Sequence, residues 1–222
     1  WLKVSSLASL LAAISYSMLG MMAGQLVHLA VVQGQGWLPW VVLAVLMAAD
    51  RLRGDAAPER PWVALKSALW PLISLAVLTG LVFLTGEPRS IADLEVVAIV
   101  VVGFVTFAPG RPGVARRLLL LASLGLAAAW GVLLAAAQLL PGQEFIHLSQ
   151  RANLGYWFFG SGSLAINRTI LAAIPDFFGG VGLLHQPHFF VSYNISELNG
   201  YVGILGLAGL GAVLGGLIGR RR

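Results

Sequence analysis

The chain has 222 residues, of which 58% are hydrophobic and 10% charged, and its mean hydropathy is +0.86. A soluble globular domain, with about 25% charged residues, is thereby excluded. The formal charge of +5 does not point to nucleic acid, because the basic residues sit in short connecting segments rather than on one continuous face. Cysteine is absent, which removes disulfides, thiolate metal ligands and thiol nucleophiles.

A helix needs about 20 apolar residues to cross the hydrocarbon core of a bilayer. Apolar runs at residues 5–32, 36–50, 66–86, 92–108, 116–140 and 197–219 predict an all-α fold, a polytopic transmembrane helix bundle of about six spans. The chain opens on Trp1 rather than Met, which suggests a piece of a longer protein. The first run is too long for a signal peptide and lacks a small-x-small cleavage site, so it reads as a true span. It carries His28 near its outer end, a solvated or hydrogen-bonded interfacial position, and Gly20 and Gly24 four residues apart. The second run is short and relies on Trp37 and Trp40 as interfacial anchors.

A polar loop, residues 50–62, leads to the third run, in which Pro71 is placed to bend the helix. The fourth run opens with Asp93 and Glu95, where carboxylates favour a helix N-terminus, and Pro109 and Pro112 end it. The last run carries Gly211, Gly215 and Gly219, a spacing that lets helix backbones approach closely inside a bundle.

Eleven of the fourteen Lys and Arg residues fall on one side of this arrangement: Lys3, Arg51, Arg53, Arg60, Lys66, Arg111, Arg116, Arg117 and Arg220 to Arg222. The other side receives Arg89, Arg151 and Arg168. Positive charge marks the cytoplasmic side, so both termini are expected inside. Three regions follow: a five-span bundle over 1–140, an outer lid over 141–195, and a final span with a basic tail over 196–222.

The outer segment holds Glu144, His147, Arg151, Arg168, Asp176, His185 and His188 between apolar stretches too short or too Gly-rich to span. Such stretches read as a lid of short interfacial helices. Arg168 and Arg151 suit bidentate hydrogen bonding to phosphate oxygens, or alternatively snorkel to lipid headgroups. A nearby His or Asp could take the proton of an attacking hydroxyl, whereas His147 and Asp176 individually read as interfacial polar residues. His185 and His188 share an H-x-x-H spacing without a third ligand, so no metal site is assigned and no cofactor is expected.

The motifs from Asn167 onward resemble the C-terminal part of the O-antigen ligase and polymerase family. Those motifs are Arg168 in NRTIL, Gly180 and Gly182 in GGVG, His188 in QPHFFV, and Glu197, Gly200 and Gly203 in SELNGYVGILGL. TFAPGRPG around Arg111 is similar to the family's cytoplasmic turn. Phe189 stands where the family usually has Asn, and six spans are present where it has ten or more. PHFFVSYNISELNGYVG, residues 187–203, and GSGS, residues 160–163, are also similar to the shape-elongation-division glycosyltransferases, without their His-Thr-Asp triplet.

Both resemblances imply a bacterial inner-membrane enzyme. It would transfer a glycan from a polyprenyl-pyrophosphate carrier to a glycan or lipid acceptor at the outer face. They imply that Arg168 and Arg151 hold the pyrophosphate, that His188 serves the acceptor hydroxyl, and that Asp176 or Glu197 assists. The other reading of the same sequence is a non-catalytic integral membrane protein, a transporter subunit or an assembly factor. An ion-coupled carrier places ionisable groups near the midplane, where the apolar runs are expected to have essentially none.

Overall fold

The computed structural model describes residues 4–26, 28–53, 60–107, 113–153, 155–156, 160, 165–175, 177–179 and 200–219. Among these there is no strand. Five stretches are long and apolar enough to cross a membrane: Ser6–Gly24, Leu29–Arg53, Pro61–Leu84, Pro88–Phe107 and Val114–Leu134. The chain forms two compact units, residues 30–153 in one and residues 1–29 with 154–222 in the other.

The continuous unit holds α3 (Leu29–Arg53, from its second residue), α4 (Pro61–Leu84), α5 (Pro88–Phe107), α6 (Val114–Leu134) and α7 (Ala136–Leu148), closed by a 3-10 turn, Gln150–Asn153. Pro61 occupies the first turn of α4, where its missing N–H costs nothing. Inside α3 and α4, Pro39 and Pro71 do not interrupt the helices. The core is a seam of small and branched residues, including Val41, Ala44, Val45, Ala48, Ala64, Ala68, Leu75, Val82, Leu120 and Leu124. The remaining apolar faces, among them Leu69, Trp70, Ile99 and Trp130, are exposed, as expected of helices whose outer solvent is lipid.

α4 and α6 make the closest approach. A Cβ on Gly131 would lie 2.5 Å from the Ala76 carbonyl oxygen and 2.6 Å from Thr79 Cβ, and one on Gly80 would lie 3.1 Å from the Gly131 carbonyl oxygen. Two glycines facing each other across a helix pair allow backbone-to-backbone packing that any side chain would prevent. By contrast, a Cβ at Gly211 or Gly215 would meet nothing within 4 Å. The close packing expected from the glycines of the last span is therefore found at Gly80 and Gly131 instead.

The discontinuous unit holds α1 (Ser6–Ser17), α2 (Gly20–Gly24), a second 3-10 helix (Ile166–Ala172) and α8 (Gly203–Gly219). Ser5 caps α1 by accepting from the Ala8 N–H at 3.2 Å. The Gly20 N–H donates to the Tyr201 carbonyl at 2.8 Å, and the Val202 N–H to the Ala172 carbonyl at 3.2 Å. The segment before α8 is thus tied to both α2 and the 3-10 helix. α8 opens on Gly203, whose φ of +80° favours glycine. Its 17 residues are fewer than the five longer stretches contain.

Several expected boundaries move. The first run ends at Gly24 rather than at residue 32, and Leu29 to Val32 begin α3. The second run, short in the hydropathy pattern, is therefore a full-length helix of 25 residues. Its polar Gln33 and Gln35 had masked the join. The fifth run divides at Ala135, and residues 141–148, expected to start the lid, continue α7 through Pro141.

Candidate functional site

The turn between α4 and α5 is built from three residues. Thr85 Oγ1 donates to the Val82 carbonyl at 2.7 Å and accepts from the Glu87 N–H at 3.3 Å. Gly86 takes a φ of +67°. The Glu87 carboxylate accepts from the Arg89 N–H at 3.3 Å, and Pro88 is the first residue of α5. Glu87 is thus the carboxylate at the start of this helix, where it satisfies an orphan N–H and faces the positive end of the dipole.

Asp93 and Glu95 do not have that role, since the first turn of α5 contains no acidic residue. At 1.5 Å per residue they lie roughly 8 and 10 Å along the helix. They are therefore ionisable groups within a candidate span, contrary to the expectation that the spans hold essentially none.

Asp93 Oδ2 accepts a hydrogen bond from Gln35 Nε2 at 2.5 Å, joining α5 to α3. Gln35 is buried and Asp93 half-buried. One turn earlier on α5, Ser90 is fully buried, and its hydroxyl has no hydrogen-bond partner among the described residues. A Cβ on Gly34 would overlap the Ser90 side chain, so the absence of one at position 34 lets the helices come close enough for Gln35 to reach Asp93.

Glu95 lines a cavity of about 370 Å³ bounded by all four helices from α3 to α6. Its walls are apolar, formed by residues such as Val45, Leu75, Phe83, Val102, Leu124 and Ala128, and Thr79 is the other polar residue on them. Glu95 is exposed and Thr79 buried, so the carboxylate stands at an open side of the cavity. An apolar recess with a single carboxylate suits a hydrocarbon chain bearing one polar or cationic group.

In the other unit, Arg168 is the third residue of the second 3-10 helix. Its backbone N–H donates to the Ala165 carbonyl at 2.8 Å, and the neighbouring Thr169 hydroxyl donates to the Ile166 carbonyl at 2.6 Å. Leu171 is buried to 1% exposure and anchors the turn. Arg168 is half-buried, and among the described residues no carboxylate or carbonyl engages its guanidinium.

Arg151 lies in the 3-10 turn of the continuous unit, and only its backbone is described. His188, Asp176 and Glu197 lie outside the described residues, as do His185, Gly180 and Gly182. His147 and Glu144 are exposed on α7. His28 is exposed in the break before α3 rather than within a span, with Nδ1 2.7 Å from Gln25 Oε1, a hydrogen-bonded histidine as expected. The chain matches no protein family, no curated protein and no solved structure.

Sequence reasoning missed Gln35, Ser90 and the cavity-lining role of Glu95. A signal for the first existed: Gln35 interrupts an apolar run, and a buried amide in a span needs a polar partner from another helix.

Proposed function

We propose that the protein is an integral membrane protein of the bacterial inner membrane that transfers a glycan from a polyprenyl-pyrophosphate carrier, with both termini cytoplasmic. The observation that supports this reading is the half-buried residue Arg168, whose guanidinium is unengaged among the described residues, in a chain dominated by membrane-length helices. A partly desolvated guanidinium seeks an anion, and its fork of donors fits a pyrophosphate.

Arg168 would hold the pyrophosphate and balance the charge that develops as it leaves. His188 would take the proton of the acceptor hydroxyl, with Asp176 or Glu197 as its partner. The acceptor oxygen then bonds to the anomeric carbon as the bond to the carrier phosphate breaks.

Binding of an undecaprenyl-pyrophosphate glycan to the whole chain in lipid nanodiscs tests this reading. Arg168→Ala is expected to weaken binding about tenfold, the worth of one charge-assisted contact of about 1.4 kcal/mol. Arg168→Lys should recover only part of it. Equal binding by wild type and Arg168→Ala overturns the assignment.

A second reading is favoured by Glu95: a non-catalytic carrier whose intramembrane carboxylate couples passage of a small cation or proton. Reconstituted vesicles separate the two. A carrier loses flux with Glu95→Gln and keeps it with Arg168→Ala, and a transferase supports no flux at all.

A further inference from the structure

The end of the continuous unit where α3 and α5 finish and α4 and α6 begin carries a second recess, of about 610 Å³. Leu52, Ala64, Leu118, Leu119 and Ala122 supply an apolar wall, and Arg116 supplies a guanidinium. Arg116 lies in the first turn of α6, so the charge sits at the mouth and the apolar wall runs inward along the helix. Arg116 and Arg117 are half-buried, and Arg53, next to Leu52, is buried. Nearby, Lys66 Nζ lies 5.0 Å from the ring centroid of the exposed Trp62. An exposed Trp with a cation over it is the pairing that marks the headgroup level of a bilayer.

Charge at this end is one-sided. Among the described residues this end carries Arg51, Arg53, Arg60, Lys66, Arg116 and Arg117 against Asp50. A recess with cations at its mouth and hydrocarbon walls matches a molecule with an anionic head and an apolar tail. We infer that it binds an acidic phospholipid, with the phosphate on Arg116 and an acyl chain along Leu118, Leu119 and Ala122. Basic recesses between membrane helices recognise anionic headgroups by this chemistry. The inference does not depend on the glycan-transfer reading.

The whole chain, stripped of lipid in detergent and offered equimolar phosphatidylglycerol and phosphatidylcholine, tests it by native mass spectrometry of the retained lipid. Wild type is expected to retain phosphatidylglycerol about tenfold over phosphatidylcholine, a preference of about 1.4 kcal/mol. Arg116→Ala should reduce that preference to near twofold, and Arg116→Lys should keep most of it. Ala122→Trp, which fills the acyl path and leaves the charge in place, should lower phosphatidylglycerol retention several-fold. Arg89→Ala, at the opposite end of the helices, should change nothing, and helicity by circular dichroism shows that each variant is folded. Equal retention of the two lipids by wild type overturns the inference. So does wild-type behaviour of both Arg116→Ala and Ala122→Trp.

Discussion

Gln35 and Asp93, 58 positions apart in sequence, are joined by a side-chain hydrogen bond of 2.5 Å that ties α3 to α5. The contact sits beside the crossing of Gly34 and Ser90, so the small residues and the polar pair form one unit of packing. An amide or a carboxylate within a membrane-length helix is costly to leave unpaired, and this bond gives each a partner on the other helix.

Removing one partner should therefore destabilise the protein, and removing both should restore part of the loss. Gln35→Leu and Asp93→Leu are each expected to cost about 1 kcal/mol, near the typical worth of a hydrogen bond between membrane helices. The double variant should fall below the sum, with a coupling of about 0.5–1.5 kcal/mol. Equilibrium unfolding in mixed micelles measures the cycle, and strict additivity would show that the contact contributes nothing.

The α4–α6 crossing makes a sharper prediction. Gly131→Ala puts a methyl group against a backbone carbonyl and the Thr79 side chain, and overpacking of this kind costs about 1–3 kcal/mol. Gly80→Ala is less crowded and should cost less. Gly211→Ala and Gly215→Ala, at positions open to their surroundings, should stay within about 0.5 kcal/mol of wild type. The same unfolding assay ranks the four, and a larger loss at Gly211 than at Gly131 would contradict the packing described.

Gly86 is constrained by its backbone. At a φ of +67° an alanine is strained by about 1–2 kcal/mol. Its Cβ would also press on Gln138 Nε2, so Gly86→Ala should destabilise at the upper end of that range. Trimming the neighbour with Gln138→Ala should relieve the steric part and leave the backbone part, a separation that the combined variant would reveal.

The absence of cysteine makes orientation directly measurable, because each introduced thiol is the only one present. Gly113→Cys, at the start of α6, is expected to react with membrane-impermeant maleimide only after the cytoplasmic side is opened. Pro88→Cys, at the start of α5, should react in intact cells. The reverse pattern would invert the proposed topology.

The helical fold was legible in hydropathy, because a lipid-facing helix must be apolar along its whole length. The runs that became α4, α5 and α6 were found with their ends displaced by a few residues. The Gln33–Gln35 region was not legible: polar residues there suggested a boundary, and only the partner on another helix explains why α3 runs straight through them. Asp93 and Glu95 were misread for a related reason. Their helix starts earlier, at a turn whose capping carboxylate is Glu87, and an apolar-run search cannot see a cap. Gly80 and Gly131 lack the four-residue spacing that drew attention to the last span, since their match lies across two helices rather than along one. Of the residues proposed for the chemistry, Arg168 drew attention as a phosphate-binding arginine in the NRTIL motif, and it is half-buried.

The glycine contact between α4 and α6 also has a mechanical meaning. Two helices seated backbone against backbone cannot slide without lifting over Thr79 and the Ala76 carbonyl, so they behave as a pinned pair. α5 touches each of them over only a short stretch, and it carries Glu95 on the rim of the recess they share. α5 is held from the other side instead, by the Gln35–Asp93 bond to α3, so the recess is walled by one pinned pair and by a helix anchored to its neighbour, with Glu95 at the edge.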